Sequence, residues 1–161
     1  MVYRFKATID GNKIFMREYE VKGETSLYSF HRFLQNDLGF APDQIVLFRG
    51  LSKDNKVKSE YGLFDLGDGP MDKVSVENAV KKGEITLSYV YETFKERSIR
   101  LEFLATEESL ARRSYPRLVA ERGRNPDQFS DNYDDFDPLI PAAETDVLFD
   151  SDELPEGEEM A

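Results

Sequence analysis

Thr25-Ser26-Leu27-Tyr28-Ser29-Phe30-His31-Arg32-Phe33-Leu34-Gln35-Asn36-Asp37-Leu38-Gly39 is the stretch in which the apolar period of the chain changes from two to between three and four. Leu27, Phe30, His31, Leu34 and Leu38 share one face at helical spacing. Thr25 or Ser26 is placed to accept from the first free amides, and Gly39 to end the helix in the left-handed region. The stretch reads as an amphipathic helix over 25–38, the main helix of the chain. Burying Leu27, Phe30, Leu34 and Leu38 contributes about 1.5 to 3 kcal/mol each before ordering entropy is subtracted.

On the N-terminal side, residues 2–9 place Tyr3, Phe5, Ala7 and Ile9 on one side and Arg4, Lys6 and Thr8 on the other. Residues 13–21 likewise align Phe15, Arg17, Tyr19 and Val21, and Asp10-Gly11-Asn12 between the two runs tolerates positive φ, which predicts a hairpin. On the C-terminal side, residues 45–49 read as a short strand after Ala41-Pro42-Asp43. A polar stretch from Gly50 to Lys58 then leads into residues 61–66, and Gly67-Asp68-Gly69-Pro70 is a turn. Ser75 can cap a short helix over 76–82 that Gly83 stops. Residues 84–91 and 98–104 alternate as strands around a connection at 93–97, and residues 107–113 suggest a helical turn. Two hairpins separated by a helix-bearing segment, with no βαβ alternation, predict an α+β fold: a mixed sheet of hairpins and further short strands backed by one main helix, β-grasp-like.

Charge divides the chain. Residues 1–124 carry 21 Lys and Arg against 19 Asp and Glu, whereas residues 125–161 carry 13 acids and no base. A segment that dense in like charge lacks internal counter-ions and resists collapse, so the expected organisation is one domain over 1–124 and an acidic C-terminal extension over 125–161. Twelve Phe and eight Tyr supply the core, with no Trp. The absence of Cys removes disulfides, thiolate metal sites and a Cys nucleophile. The start Met-Val-Tyr-Arg-Phe has no signal-peptide character, and no run approaches the apolar length of a membrane helix, so the expected address is cytoplasmic, without a membrane partner.

Several segments in order look like those of one family. Residues 25–35, closing with Gly39-Phe40, resemble the helix of the plasmid pRiA4b open-reading-frame-three-like family, also described as insertion-element passenger proteins. Phe15-Met16-Arg17 is similar to its second strand, Leu87-Ser88-Tyr89-Val90-Tyr91 to its late Tyr-x-Tyr strand, and Tyr115-Pro116-Arg117-Leu118 through Asn125-Pro126-Asp127 to its C-terminal signature. The resemblance spans roughly residues 1–130. It implies an α+β fold with a sheet backed by helices, carries no biochemical activity, and links the chain to mobile elements only through the family's name. The chain departs from the family after the Tyr-x-Tyr strand, where Glu92-Thr93-Phe94-Lys95-Glu96 stands in place of Asp-Phe-Gly-Asp with a following Trp and His, and at Asn125-Pro126-Asp127-Gln128, which lacks the glycine pair.

Candidate chemistry is sparse. His31, the single His, has neither a Cys nor a second His to complete a nucleophile or soft-metal site, so core packing is its expected role over base or ligand. Asp65, Asp68 and Asp72 surround a Gly-rich turn, and Asp131, Asp134, Asp135 and Asp137 cluster further on. Neither group has the ligand spacing of a Ca²⁺ loop, so solvated acids are the expectation and no cofactor or metal is assigned. Arg112, Arg113, Arg117, Arg122 and Arg124 form a basic stretch that suits phosphate contact, yet the neighbouring acidic extension competes for it. Phe129, Tyr133, Phe136 and Phe149 sit among acids, a pattern that suits docking to a partner. The function expected from these residues is a non-enzymatic interaction module for a protein partner, with nucleic-acid binding through residues 112–124 as the alternative.

Overall fold

The computed structural model describes residues 1–130. The first hairpin forms where alternation places it: β1 (Val2–Ile9) and β2 (Asn12–Lys22) pair antiparallel, with Val2 opposite Lys22 and Phe5 opposite Tyr19. The helix α1 (Leu27–Leu38) follows, its amide at Ser29 held 3.1 Å from the Ser26 hydroxyl oxygen and its end turned by Gly39 at φ 73°. Then come β3 (Leu47–Leu51), β4 (Val57–Gly62), α2 (Val76–Lys81), β5 (Thr86–Glu92), β6 (Arg97–Glu107) and β7 (Arg117–Arg122).

All seven strands join one sheet in the order β4-β3-β5-β6-β1-β2-β7. Each of its six pairings is antiparallel, including β1 with β6, which brings Phe5 opposite Phe103 across the centre. This corrects the expected α+β class. The sheet is not mixed, a β-grasp arrangement is excluded because its first and late strands would have to run parallel, and the two helices hold only 12 and 6 residues. The molecule is mainly antiparallel β. The physical reason lies at the borders: β4 and β7, the two outermost strands, are ones that alternation did not mark, and adding them makes the sheet the bulk of the body. Of residues 107–113, Glu107 ends β6 and the remainder holds a single turn closed by the Arg113 amide on the Leu110 carbonyl at 3.1 Å.

The core lies between one face of the sheet and the helices. Phe30 of α1 sits at its centre, with ring centroids 5.9 Å from Phe5, 6.5 Å from Tyr19 and 6.2 Å from Phe48. Aromatic pairs at these separations contribute beyond their burial. Backbone hydrogen bonds stitch the starts of the two helices together: Leu27 donates to the Val74 carbonyl, Val76 to that of Thr25 and Glu77 to that of Gly23. The opposite face is polar and laced with ion pairs, Arg4 with Glu18 and Glu107, Arg49 with Glu60, and Arg100 with Glu102. One polar and one buried face is what an antiparallel sheet permits.

The borders of the sheet differ. At β4 the Glu60 amide donates to the Asp68 carboxylate at 2.9 Å, and the Gly62 carbonyl accepts from the Met71 amide at 2.8 Å, so the loop after the strand covers it. β7 pairs with β2 alone. Among the described residues, no helix is long and apolar enough to cross a membrane.

Candidate interaction site

The arginine stretch is mostly spent on the fold. Arg117 donates to Glu20 Oε1 at 2.6 Å and Arg113 approaches the same oxygen at 3.8 Å, which satisfies a buried carboxylate on β2. Arg122 donates through Nε to the Ile14 carbonyl at 2.8 Å. Arg112 lines an open cleft of about 530 Å³ with Leu110, Arg113, Ser114 and Arg117. Arg124 lies past the end of β7, away from that cleft, so the five do not form one basic face. Phe129 is exposed, its amide donating to Asp127. Tyr133, Phe136 and Phe149, with Asp131, Asp134, Asp135 and Asp137, lie outside the described residues.

Alternation placed Arg17 on the core face of β2 among apolar residues, and gave no sign of what it does there. The residue is 2% exposed, and its guanidinium carbon lies 4.6 Å from the Phe15 ring centroid. It donates to the carbonyls of Met16, Arg122 and Gly123 and to Asn125 Oδ1, all within 2.9 Å. The rigid fork of an arginine makes such a clasp possible. Beyond it, the buried Gln128 accepts from the Ala41 amide at 2.7 Å, so residues 125–128 pack onto the body.

His31 is a core residue. It is buried on α1 with Nδ1 2.8 Å from the Tyr89 hydroxyl, and burial, aided by the charge of Arg32, pulls its imidazole down to about 4 from 6.5. A second buried polar cluster had no sequence signal. Glu84 Oε1 accepts from the Tyr61 hydroxyl and Oε2 from that of Ser59, both at 2.7 Å, with Lys82 Nζ at 3.6 Å. Burial raises the Tyr61 hydroxyl, and the hydrogen bond to Tyr61 raises Lys82. The turn acids are loop braces: Asp65 accepts from the amides of Gly67 and Gly69, whose hydrogen bonds hold its carboxyl below the ordinary range. Among the described residues, no three acids or His converge as a metal site.

Exposed apolar side chains occur over much of the body, Val57, Leu104 and Leu110 among them, but the three most exposed fall at one end of the sheet. Leu47 pairs with Gly62 on one side and Val90 on the other, so the segments before β3, after β4 and after β5 leave together. They carry Ile45, Phe64, Leu66 and Phe94, which are 70%, 83%, 52% and 86% exposed. Each of these residues falls within about five positions of the Gly62–Leu47–Val90 row, yet the expectation of a loosely determined middle hid them.

A scan against protein-family models finds no match, and a search of curated proteins finds none. Among solved structures, the chain is similar to the crystal structure of a protein of unknown function, MM3350, from Methanosarcina mazei Go1, with a TM-score of 0.65 and 13% identity over 77% of this chain and 70% of that one. At that identity the likeness is one of fold alone: this antiparallel sheet with its two helices has a counterpart in an experimentally determined structure.

Proposed function

We propose that the protein is a non-enzymatic interaction module that binds a protein partner through the rim formed by Ile45, Phe64, Leu66 and Phe94. The observation that carries this reading is the exposure of those four side chains at one end of an otherwise well-packed sheet. A rigid sheet holds the turns that bear them, so little ordering entropy opposes contact. Phe129 belongs to the same surface, because Gln128 before it hydrogen-bonds to Ala41 and Tyr91 at this end. The acidic aromatic segment that follows extends the contact in this reading. Membership of the plasmid pRiA4b open-reading-frame-three-like family and a cytoplasmic address are part of the same proposal. A nucleic-acid role has less support, since Arg113, Arg117 and Arg122 are engaged with Glu20 and the main chain.

The test is a comparison of the full chain with a Phe64→Ser/Phe94→Ser double variant, using an Arg112→Ala variant as control. A partner isolated from source cells and then purified is expected to bind the full chain saturably and the Arg112 variant equally. The double variant is expected to bind it at least about a hundredfold more weakly, the scale of two interface anchors. Equal binding by the double variant, or turnover of a hydrolase or nuclease substrate that depends on Asp65 or Asp68, overturns the reading.

A further inference from the structure

On the polar face of the sheet, next to the contact surface proposed above and sharing its β5–β6 turn, lies a cleft of about 310 Å³ lined by Ser88 of β5, Ser98 and Arg100 of β6, Lys95 and Glu96 of that turn, and Asp10 of the β1–β2 turn. Its walls are held in place. Arg49 of β3 grips both carboxylate oxygens of Glu96 at 3.2 Å and so draws the β5–β6 turn over this face. Arg100 donates to Asn55 in the β3–β4 turn, which closes the other side. Glu92 accepts from the amides of Phe94 and Lys95 and from Arg97, so the turn that presents Lys95 is braced from beneath.

The charges in the cleft are unequally spent. Glu96 is neutralised by Arg49, Arg97 by Glu92, and Arg100 is paired through Nε with Glu102 at 3.3 Å, which leaves Lys95 as the cation of the lining without an ion pair among the described residues. The side chains of Lys95, Ser88 and Ser98 make no hydrogen bond or ion pair among the described residues; both serines are half-buried on the floor, and the Lys95 ammonium lies 5.8 Å from the Phe94 ring centroid. We infer that this cleft binds a small carboxylate or phosphate anion, with Lys95 facing its charge, Arg100 adding the N–H groups that Glu102 and Asn55 leave over, Ser88 and Ser98 donating to its oxygens, and Asp10 at the rim accepting from a hydroxyl on the ligand. Charge-assisted contacts to a fixed group of donors are the strong ones, and 310 Å³ is the small end of ligand-site volumes. A hydroxylated anion suits Asp10 better than a bare one, because a second carboxylate there would be repelled.

Amide chemical shifts of the full chain report on this directly. Titration with inorganic phosphate and, separately, with lactate, at constant ionic strength, is expected to move the resonances of residues 88 and 95–100 saturably with one of the two. That choice decides between phosphate and carboxylate as the ligand group. Lys95→Gln is expected to weaken binding about tenfold, the loss of one charge-assisted contact, and Ser88→Ala/Ser98→Ala to weaken it further. Acetate, which lacks the hydroxyl, is expected to bind less well than lactate. No saturable shift with either anion overturns the inference, as does an unchanged affinity in Lys95→Gln. Because Lys95 adjoins Phe94, the Ser88→Ala/Ser98→Ala variant, which leaves the rim side chains untouched, is the one that separates anion binding from the partner contact.

Discussion

Glu84 folds its carboxylate over the α-carbon of Gly50, so closely that a β-carbon there would stand 2.1 Å from Glu84 Oε1. The contact explains why β3 carries a glycine as the fourth residue of a five-residue strand, inside an element where that residue ordinarily weakens pairing. The missing side chain makes room for a buried acid that satisfies Ser59 and Tyr61.

Gly50→Ala is therefore expected to displace Glu84 and destabilise the protein by about 1 to 3 kcal/mol, the cost of overpacking a filled site. Glu84→Ala is expected to cost about as much again for each hydroxyl left without its acceptor. Urea unfolding of the two variants checks both. A loss in Glu84→Ala no larger than that of a surface substitution would show that the cluster contributes nothing.

His31 makes stability depend on pH. Its folded-state pKa, pulled down to about 4 from 6.5, lies below the unfolded value, so the unfolded chain takes up the proton first. The full stability is present above pH 6.5 and is lost as pH falls towards 4, by up to about 3 kcal/mol for this group. His31→Gln, which keeps a polar group beside Tyr89 without a titratable ring, is expected to flatten that part of the profile relative to the native chain. Parallel profiles for the two proteins between pH 6.5 and 4 would remove His31 as the cause.

These buried groups also mark how far the sequence could be read. The alternation of residues 2–9 and the three-to-four spacing of Leu27, Phe30, Leu34 and Leu38 located β1 and α1 because each of these elements puts one continuous apolar face against a core. β4 and β7 have no such face. Val57 and Lys58 open β4 to solvent, and Val119 of β7 is exposed between half-buried neighbours, so neither carries period-two contrast. Both are border strands, held by one neighbour instead of two, and missing them made the helix seem the backbone of the fold. The core role of His31 followed from its being alone, whereas the rim at Ile45, Phe64, Leu66 and Phe94 exists only once β3, β4 and β5 are adjacent. No local pattern could supply that adjacency.

Arg17 is expected to govern the last strand. Arg17→Met keeps the apolar stem but loses four hydrogen bonds to Met16, Arg122, Gly123 and Asn125, and charged donors are about 1.5 to 3 kcal/mol each at most. Hydrogen exchange is expected to quicken over residues 117–128 far more than over β1. Uniform loss across the sheet would instead make Arg17 a general core residue.

Gly39→Ala is expected to cost about 1 kcal/mol, since φ 73° is a left-handed conformation in which a β-carbon is strained. Thermal unfolding measures it. Gly39→Asn is expected to cost less, because asparagine tolerates that region, and the reverse order would contradict a backbone origin.

The covering of β4 by Asp68 and Met71 has a bearing on how copies of this chain can meet. Among the described residues, a strand added by another molecule would find the Glu60 amide and Gly62 carbonyl of β4 already taken, whereas Arg117–Arg122 is paired on one side alone. A loop of the chain's own thus blunts one border of a wide antiparallel sheet against edge-to-edge growth.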